Sequence, residues 1–193
     1  MIPEPLRVTL AAVKALERMG VPYFVGGSLA SSAHGVARAT LDADIIARVA
    51  PQQADRFARE LGTEFYADID AITDAAARRS SFNVIHIATA FKIDVFVPPP
   101  TAYADVEMER RQSQVIDEDT GEEMVFSTAE DTLLAKLLWY RQGAEVSDRQ
   151  WRDVLGILRV AGGSLDKSYL SLWAVELRVA DLLDRAFHEA GAT

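Results

Sequence analysis

The residues whose types and order could do chemistry are Gly26, Gly27 and Ser28, then Asp42 and Asp44, and later Asp94. Two adjacent glycines let the backbone approach a ligand closely and adopt φ values that other residues avoid. Ser28 adds a hydroxyl, and a helix beginning there would aim free N–H groups at an anion. Asp42 and Asp44 lie two apart in Leu41-Asp-Ala-Asp-Ile-Ile46, a run that reads as a strand. At a period of two, both carboxylates leave the same face. Neighbouring carboxylates repel each other, and a divalent cation is the usual reason to tolerate that. The pattern is that of a phosphate-handling, metal-dependent site.

These residues must be positioned by the elements around them. Leu6, Leu10, Val13 and Leu16 recur at helical spacing between Pro5 and Gly20. Val21–Val25 is a short apolar strand running into the glycine pair, followed by one or two helical turns over Leu29–His34. The spacing predicts a strand over Leu41–Val49 and a helix over Pro51–Leu61. A short strand follows at Glu64–Tyr66, then a helix over Ile69–Arg79 with Asp68 or Asp70 as its N-cap. Strands at Phe82–Ala88 and Phe91–Val97 are joined by a tight turn at Thr89-Ala90, and Pro98-Pro99-Pro100 ends the second. A short helix over Ala104–Arg111 precedes a hairpin, Gln114–Ile116 with Met124–Phe126, around Asp117–Glu123. Beyond Phe126 the period is helical throughout. Ser127-Thr-Ala-Glu130 and Ser147-Asp-Arg-Gln150 match the capping-box pattern. The expectation is a mixed α/β core over residues 1–126 and a helical C-terminal segment over 127–193.

Bulk properties narrow the function classes. Apolar residues make up 49 % of the 193 residues, enough for a hydrophobic core. No run of about 18 apolar residues is present, so no membrane span is expected, and the start Met-Ile-Pro-Glu-Pro has no signal-peptide features. Without cysteine there is no disulfide, thiolate metal site or cysteine nucleophile. A soluble, cytoplasmic protein is expected. The net charge of −9 argues against a broad, sequence-blind grip on nucleic acid. No P-loop or dinucleotide fingerprint occurs, and Asp117–Gly121 imitates a calcium loop with its glycine one residue early.

Taken together, Gly26-Gly27-Ser28, Arg38-Ala-Thr40-Leu-Asp42-Ala-Asp44 and Lys92-Ile-Asp94-Val resemble the minimal nucleotidyltransferases of the DNA polymerase β-like superfamily. Thr128-Ala-Glu130-Asp131-Thr-Leu-Leu-Ala-Lys136 and Trp151-Arg-Asp153-Val-Leu are similar to the helical region of its bacterial AbiEii-type branch, which includes toxins of toxin–antitoxin pairs. The resemblance covers roughly residues 20–160. It implies an α/β (α+β) fold, a nucleotidyltransferase-like mixed sheet flanked by helices, with two acids on one strand and the third on its neighbour. It implies one or two Mg²⁺ ions on Asp42, Asp44 and Asp94, with Asp94 as general base. Gly26, Gly27 and Ser28 would cradle the phosphates of an NTP substrate, with Arg38, Thr40 and Lys136 as further nucleotide contacts. The acceptor could be an RNA 3′ end, a protein or a small molecule such as an aminoglycoside, and an antitoxin protein would be the partner of a toxin.

Each residue also has a plainer reading. Asp42 and Asp44 could be solvent-facing carboxylates that blunt an edge strand. Ser28 could be a helix N-cap, and Arg38 and Thr40 could brace the turn before the strand. Lys136 could snorkel over the leucine stripe, with Asp153 paired to Arg149 or Arg152. His34, His86 and His188 have no metal-like spacing, and Trp139, Trp151 and Trp173 read as helix-packing anchors. The whole domain could be a non-catalytic module that acts through a protein partner.

Overall fold

The computed structural model of the chain describes residues 2–37 and 39–191. They form two compact units, residues 2–29 with 39–126, and residues 30–37 with 127–191.

The first unit is built on a seven-stranded mixed sheet. Its strands are β1 (Tyr23–Val25), β2 (Asp42–Ala47), β3 (Phe65–Ala67), β4 (Ser81–His86), β5 (Phe91–Phe96), β6 (Gln112–Asp117) and β7 (Glu122–Phe126). They lie in the order β3-β4-β5-β2-β1-β7-β6. β2 is therefore the central strand, parallel to β5 on one side and antiparallel to β1 on the other. An edge-blunting role for Asp42 and Asp44 is thereby excluded. β2 and β5 alternate strictly: Ala43, Ile45, Ala47, Ile93 and Val95 are fully buried, while Asp42, Asp44, Lys92 and Asp94 stay partly accessible. Because side chains alternate with a period of two, burying one set commits the other to the opposite face.

The helices of this unit are α1 (Glu4–Arg18), α3 (Ala54–Leu61), α4 (Ile69–Arg78) and α5 (Ala102–Arg110), with α2 (Gly27–His34) starting here. α1 packs against β2 and β5 and against α3, burying Val8, Val13 and Leu16. Pro51–Gln53 forms a 3₁₀ turn leading into α3. Asp68 caps α4, accepting from the N–H groups of Asp70 and Ala71 at 3.0 Å. The tight turn at Thr89-Ala90 holds Ala90 at φ +56° and makes β4 and β5 antiparallel neighbours. Asp117–Gly121 is the hairpin turn between β6 and β7: Asp117 accepts from Asp119 N–H, and Gly121 takes φ +68°.

The second unit is helical: α6 (Ala129–Gln142), α7 (Asp148–Ala161), α8 (Lys167–Glu176) and α9 (Ala180–Ala190). Leu133, Leu134, Leu137, Val154, Ile157 and Leu170 are completely buried in it. Segment 30–37 joins this unit, with His34 Nε2 2.7 Å from the Ser127 carbonyl. The cap of α6 is Thr128, one residue later than the capping-box pattern suggests, because its hydroxyl reaches both Asp131 N–H and the Asp131 carboxylate. Ser147 caps α7 as expected. Trp151 is a buried anchor whose indole N–H donates to Glu189 at 2.7 Å. Trp139 is not: it is 50 % exposed.

Charged groups also penetrate this apolar interior. Asp131 is fully buried and accepts from Thr128 and from the Tyr169 hydroxyl at 2.5 Å. Lys136 donates to Asp153 Oδ2 at 3.0 Å, with side chains 10 % and 8 % exposed. Lys136 thus ties α6 to α7 rather than snorkelling to solvent, and Asp153 pairs with Lys136, a partner that local sequence does not suggest.

A buried ion pair gains little over an apolar pair, yet removing one partner strands the other charge. Asp153→Ala is therefore expected to destabilise the protein by about 3–5 kcal/mol in urea denaturation. Lys136→Met/Asp153→Leu together should recover most of that loss.

Candidate active site

The central strands bring the sequence-selected acids onto one face. Asp44 and Asp94 are register partners across the parallel β2–β5 pair, and Asp42 is the register partner of Lys92. On the other side of β5, Asn83 is opposite Asp94. On the other side of β2, Gly26 N–H donates to the Asp44 carbonyl at 2.9 Å. One row across the sheet therefore reads Asn83, Asp94, Asp44, Gly26, and the next reads Ile85, Lys92, Asp42. Neighbouring strands are about 4.8 Å apart, and residues two apart along a strand about 6.7 Å. Like charges at such spacing repel unless something positive stands among them.

That positive group is Lys92. Its Nζ donates to Asp94 Oδ2 at 2.6 Å, with side chains 45 % and 22 % exposed. The hydrogen bond to Asp94, reinforced by the fields of Asp94, Asp42 and Asp44, holds the ammonium above its ordinary pKa against the opposing effect of burial. Among the described residues, no three carboxylate or imidazole side chains are gathered at metal-ligand distances. The acid face carries its own cation instead. Sequence reasoning quoted Lys92 beside Asp94 without giving it a role. The same two-residue alternation that pairs Asp42 with Asp44 puts Lys92 with Asp94, so the signal was there. Asn83 lies on a different strand, and nothing local announces it.

Local geometry fixes the two β2 acids separately. The Thr40 hydroxyl, almost buried, is shared between the Asp42 carboxylate at 3.0 Å and the Asp42 carbonyl at 2.9 Å. Its single proton is engaged there, so Thr40 braces Asp42 at the start of the strand. Asp44 is set by Gly27. Gly27 sits at φ +55°, and a Cβ built on it would fall 1.6 Å from Asp44 Oδ2. The glycine leaves room for the carboxylate as well as adopting a left-handed conformation. Gly26 is less constrained: an added Cβ would meet the end of the Ile46 side chain at 2.9 Å. Ser28 is nearly buried in the first turn of α2. Lys136 belongs to the second unit, where Asp153 holds it. Arg38 lies outside the described residues.

The chemistry of the acid face, though not a preformed cluster of three ligands, matches that of a cation site. Three carboxylates supply hard oxygen ligands of the kind Mg²⁺ takes, and Lys92 shows that the face already favours a positive charge at Asp94.

Gly27→Ala should displace the Asp44 carboxylate. Expected results are a stability loss of at least about 1 kcal/mol by thermal or urea melting, from the left-handed φ alone, and loss of whatever chemistry Asp44 supports. Gly121→Ala, with φ +68° but open space around its Cβ, serves as the control for backbone strain without the clash.

No family model matches the chain, and no curated protein matches it in sequence. Its fold does have solved counterparts. A nucleotidyltransferase-like antigenic protein from Paracoccidioides brasiliensis superposes with a TM-score of 0.57 at 15 % identity, covering 98 % of this chain and 93 % of that one. The antibiotic-resistance factor ANT(2″)-Ia, in its solution structure, gives 0.55 at 14 % identity over 96 % of this chain and all of that one. A crystal structure of ANT(2″)-Ia with adenylyl-2″-tobramycin gives 0.56 at 14 % identity, with coverages of 90 % and 97 %. The mixed sheet and its helices are thus a nucleotidyltransferase-type α/β fold.

Proposed function

We propose that the protein is a Mg²⁺-dependent nucleotidyltransferase that moves a nucleoside monophosphate from an NTP to an acceptor hydroxyl. The observation that carries this reading is the register of Asp44 with Asp94 on adjacent parallel strands, on the face that also carries Asp42. Bound Mg²⁺ would be held by Asp42, Asp44 and Asp94, neutralise triphosphate charge and make the acceptor hydroxyl easier to deprotonate. Asp94 accepts the proton of the acceptor hydroxyl as general base. The freed oxygen bonds to the α-phosphorus while the bond to pyrophosphate breaks, and pyrophosphate leaves. The start of α2, at Gly27 and Ser28, would cradle the phosphates, while Gly26, whose own N–H is held by the Asp44 carbonyl, lets the chain pass close to them. Thr40 keeps Asp42 in place. Lys136 is left out of the nucleotide set, because its ammonium already has a buried carboxylate partner.

The acceptor class we favour is a small molecule bearing hydroxyl groups. ANT(2″)-Ia, whose fold is shared nearly end to end, is described with an adenylylated aminoglycoside, and the net charge of −9 disfavours long RNA. The resemblance to AbiEii-type proteins motivates a second acceptor class, a cellular target of a toxin held in check by an antitoxin protein.

A labelling experiment tests the enzyme. Incubation with labelled NTPs, Mg²⁺ and a cell extract should transfer label to an acceptor. Asp44→Asn and Asp94→Asn should each lower that transfer by at least a hundredfold while leaving the melting temperature within a few degrees. A toxin role predicts arrested growth on induced expression of the wild type and normal growth with Asp44→Ala; equal growth rules that role out.

One other reading is a module that keeps the fold and binds a protein partner without catalysis; there the Lys92–Asp94 pair would stay closed. Thermal melts with each NTP and Mg²⁺ separate the two. An enzyme gains stability from NTP only with Mg²⁺ present, whereas the module responds to neither.

A further inference from the structure

Lys92 places a positive charge on the acid face itself. Its Cα is paired in register with Asp42 across the β2–β5 ladder, while its Nζ reaches along its own strand to Asp94 at 2.6 Å. The ammonium therefore stands among carboxylates of two strands. It engages Asp94, the acid that the proposed chemistry needs as both ligand and base. Ammonium and divalent cation are drawn to the same carboxylate, and a metal at Asp94 would bring its charge against the ammonium already held on Oδ2 at 2.6 Å.

We propose that Lys92 is the resident counterion of the acid face, holding Asp42, Asp44 and Asp94 together and competing with the divalent cation for Asp94. The inference rests on the cation site proposed above. Lys92 is a positioning residue in this role: it acts through Asp94. Its side chain is suited to the exchange. It is 45 % exposed, and a four-carbon stem lets the ammonium swing into water without moving the backbone. Two consequences follow. Without metal, Lys92 offsets carboxylate repulsion and so stabilises the fold. With metal, its charge opposes the incoming ion, so removing it tightens metal binding. A lysine that only pinned the strand would show the first effect and not the second.

The experiment is a Mn²⁺ titration of the full chain by calorimetry, with parallel thermal melts. It uses the wild type, Lys92→Gln, Lys92→Met, Lys92→Arg and Asp42→Asn. Lys92→Gln and Lys92→Met should bind Mn²⁺ about three- to tenfold more tightly than wild type, the size expected for one partly screened charge. Both should melt at lower temperature without metal and gain more from its addition. Lys92→Arg, which keeps the charge, should stay close to wild type in affinity. Unchanged or weaker Mn²⁺ binding in both neutral variants overturns the counterion role. So does weaker NTP binding without any gain in Mn²⁺ affinity, which would make Lys92 a phosphate ligand. The underlying reading fails separately: if Asp42→Asn binds Mn²⁺ as well as wild type, or if wild type binds none, the cation is not held here and both proposals fall. Two neutral variants keep the outcome readable if either fails to fold.

Discussion

Three carboxylates on two neighbouring central strands impose the main electrostatic constraint on the sheet. Two unit charges about 5.5 Å apart repel by roughly 3 kcal/mol at an effective dielectric constant of about 20, a sizeable share of what a domain of this size has to spare. The apolar face prevents the chain from escaping that repulsion by slipping register. A shift of one residue would turn Ala43, Ile45, Ile93 and Val95 outward and drive the acids into the core. The carboxylates are held together because the opposite face cannot be moved, and Lys92 supplies the charge that makes the arrangement tolerable.

Each acid has a different restraint. Asp42 is braced by the Thr40 hydroxyl, Asp44 lies in the space left by the missing side chain of Gly27, and Asp94 is hydrogen-bonded to Lys92. The restraints come from a loop hydroxyl, a backbone conformation and a flexible ammonium. They differ in stiffness: the first two are fixed by local geometry, whereas the third can let go. That difference makes Asp94 the acid whose surroundings can change while the β2 pair stays in place. The structural counterparts share the overall fold at 14–15 % identity. Alternating strands with an apolar underside and a short glycine bend are satisfied by many sequences, so the fold persists where identity does not.

The helical unit solves a different problem. Its leucine-rich interior admits Asp131 and the Lys136–Asp153 pair only because each polar group has a partner. A fully satisfied buried pair contributes little net stability. The Lys136–Asp153 pair joins α6 to α7 at one level along their length.

The sequence by itself determined the elements and the faces. Period-two alternation put Asp42 with Asp44 and Lys92 with Asp94; helical periodicity, proline, glycine and capping residues located the helices to within a few residues. These are local signals, set by sterics and burial along a few consecutive residues. Tertiary structure alone decided that β2 is central, that Asp44 lies opposite Asp94, that Asn83 joins their row, and that Lys136 finds Asp153. Each of those pairings joins residues at least ten apart in the chain. Such contacts are chosen by the burial of whole faces against one another, which no short window of sequence encodes.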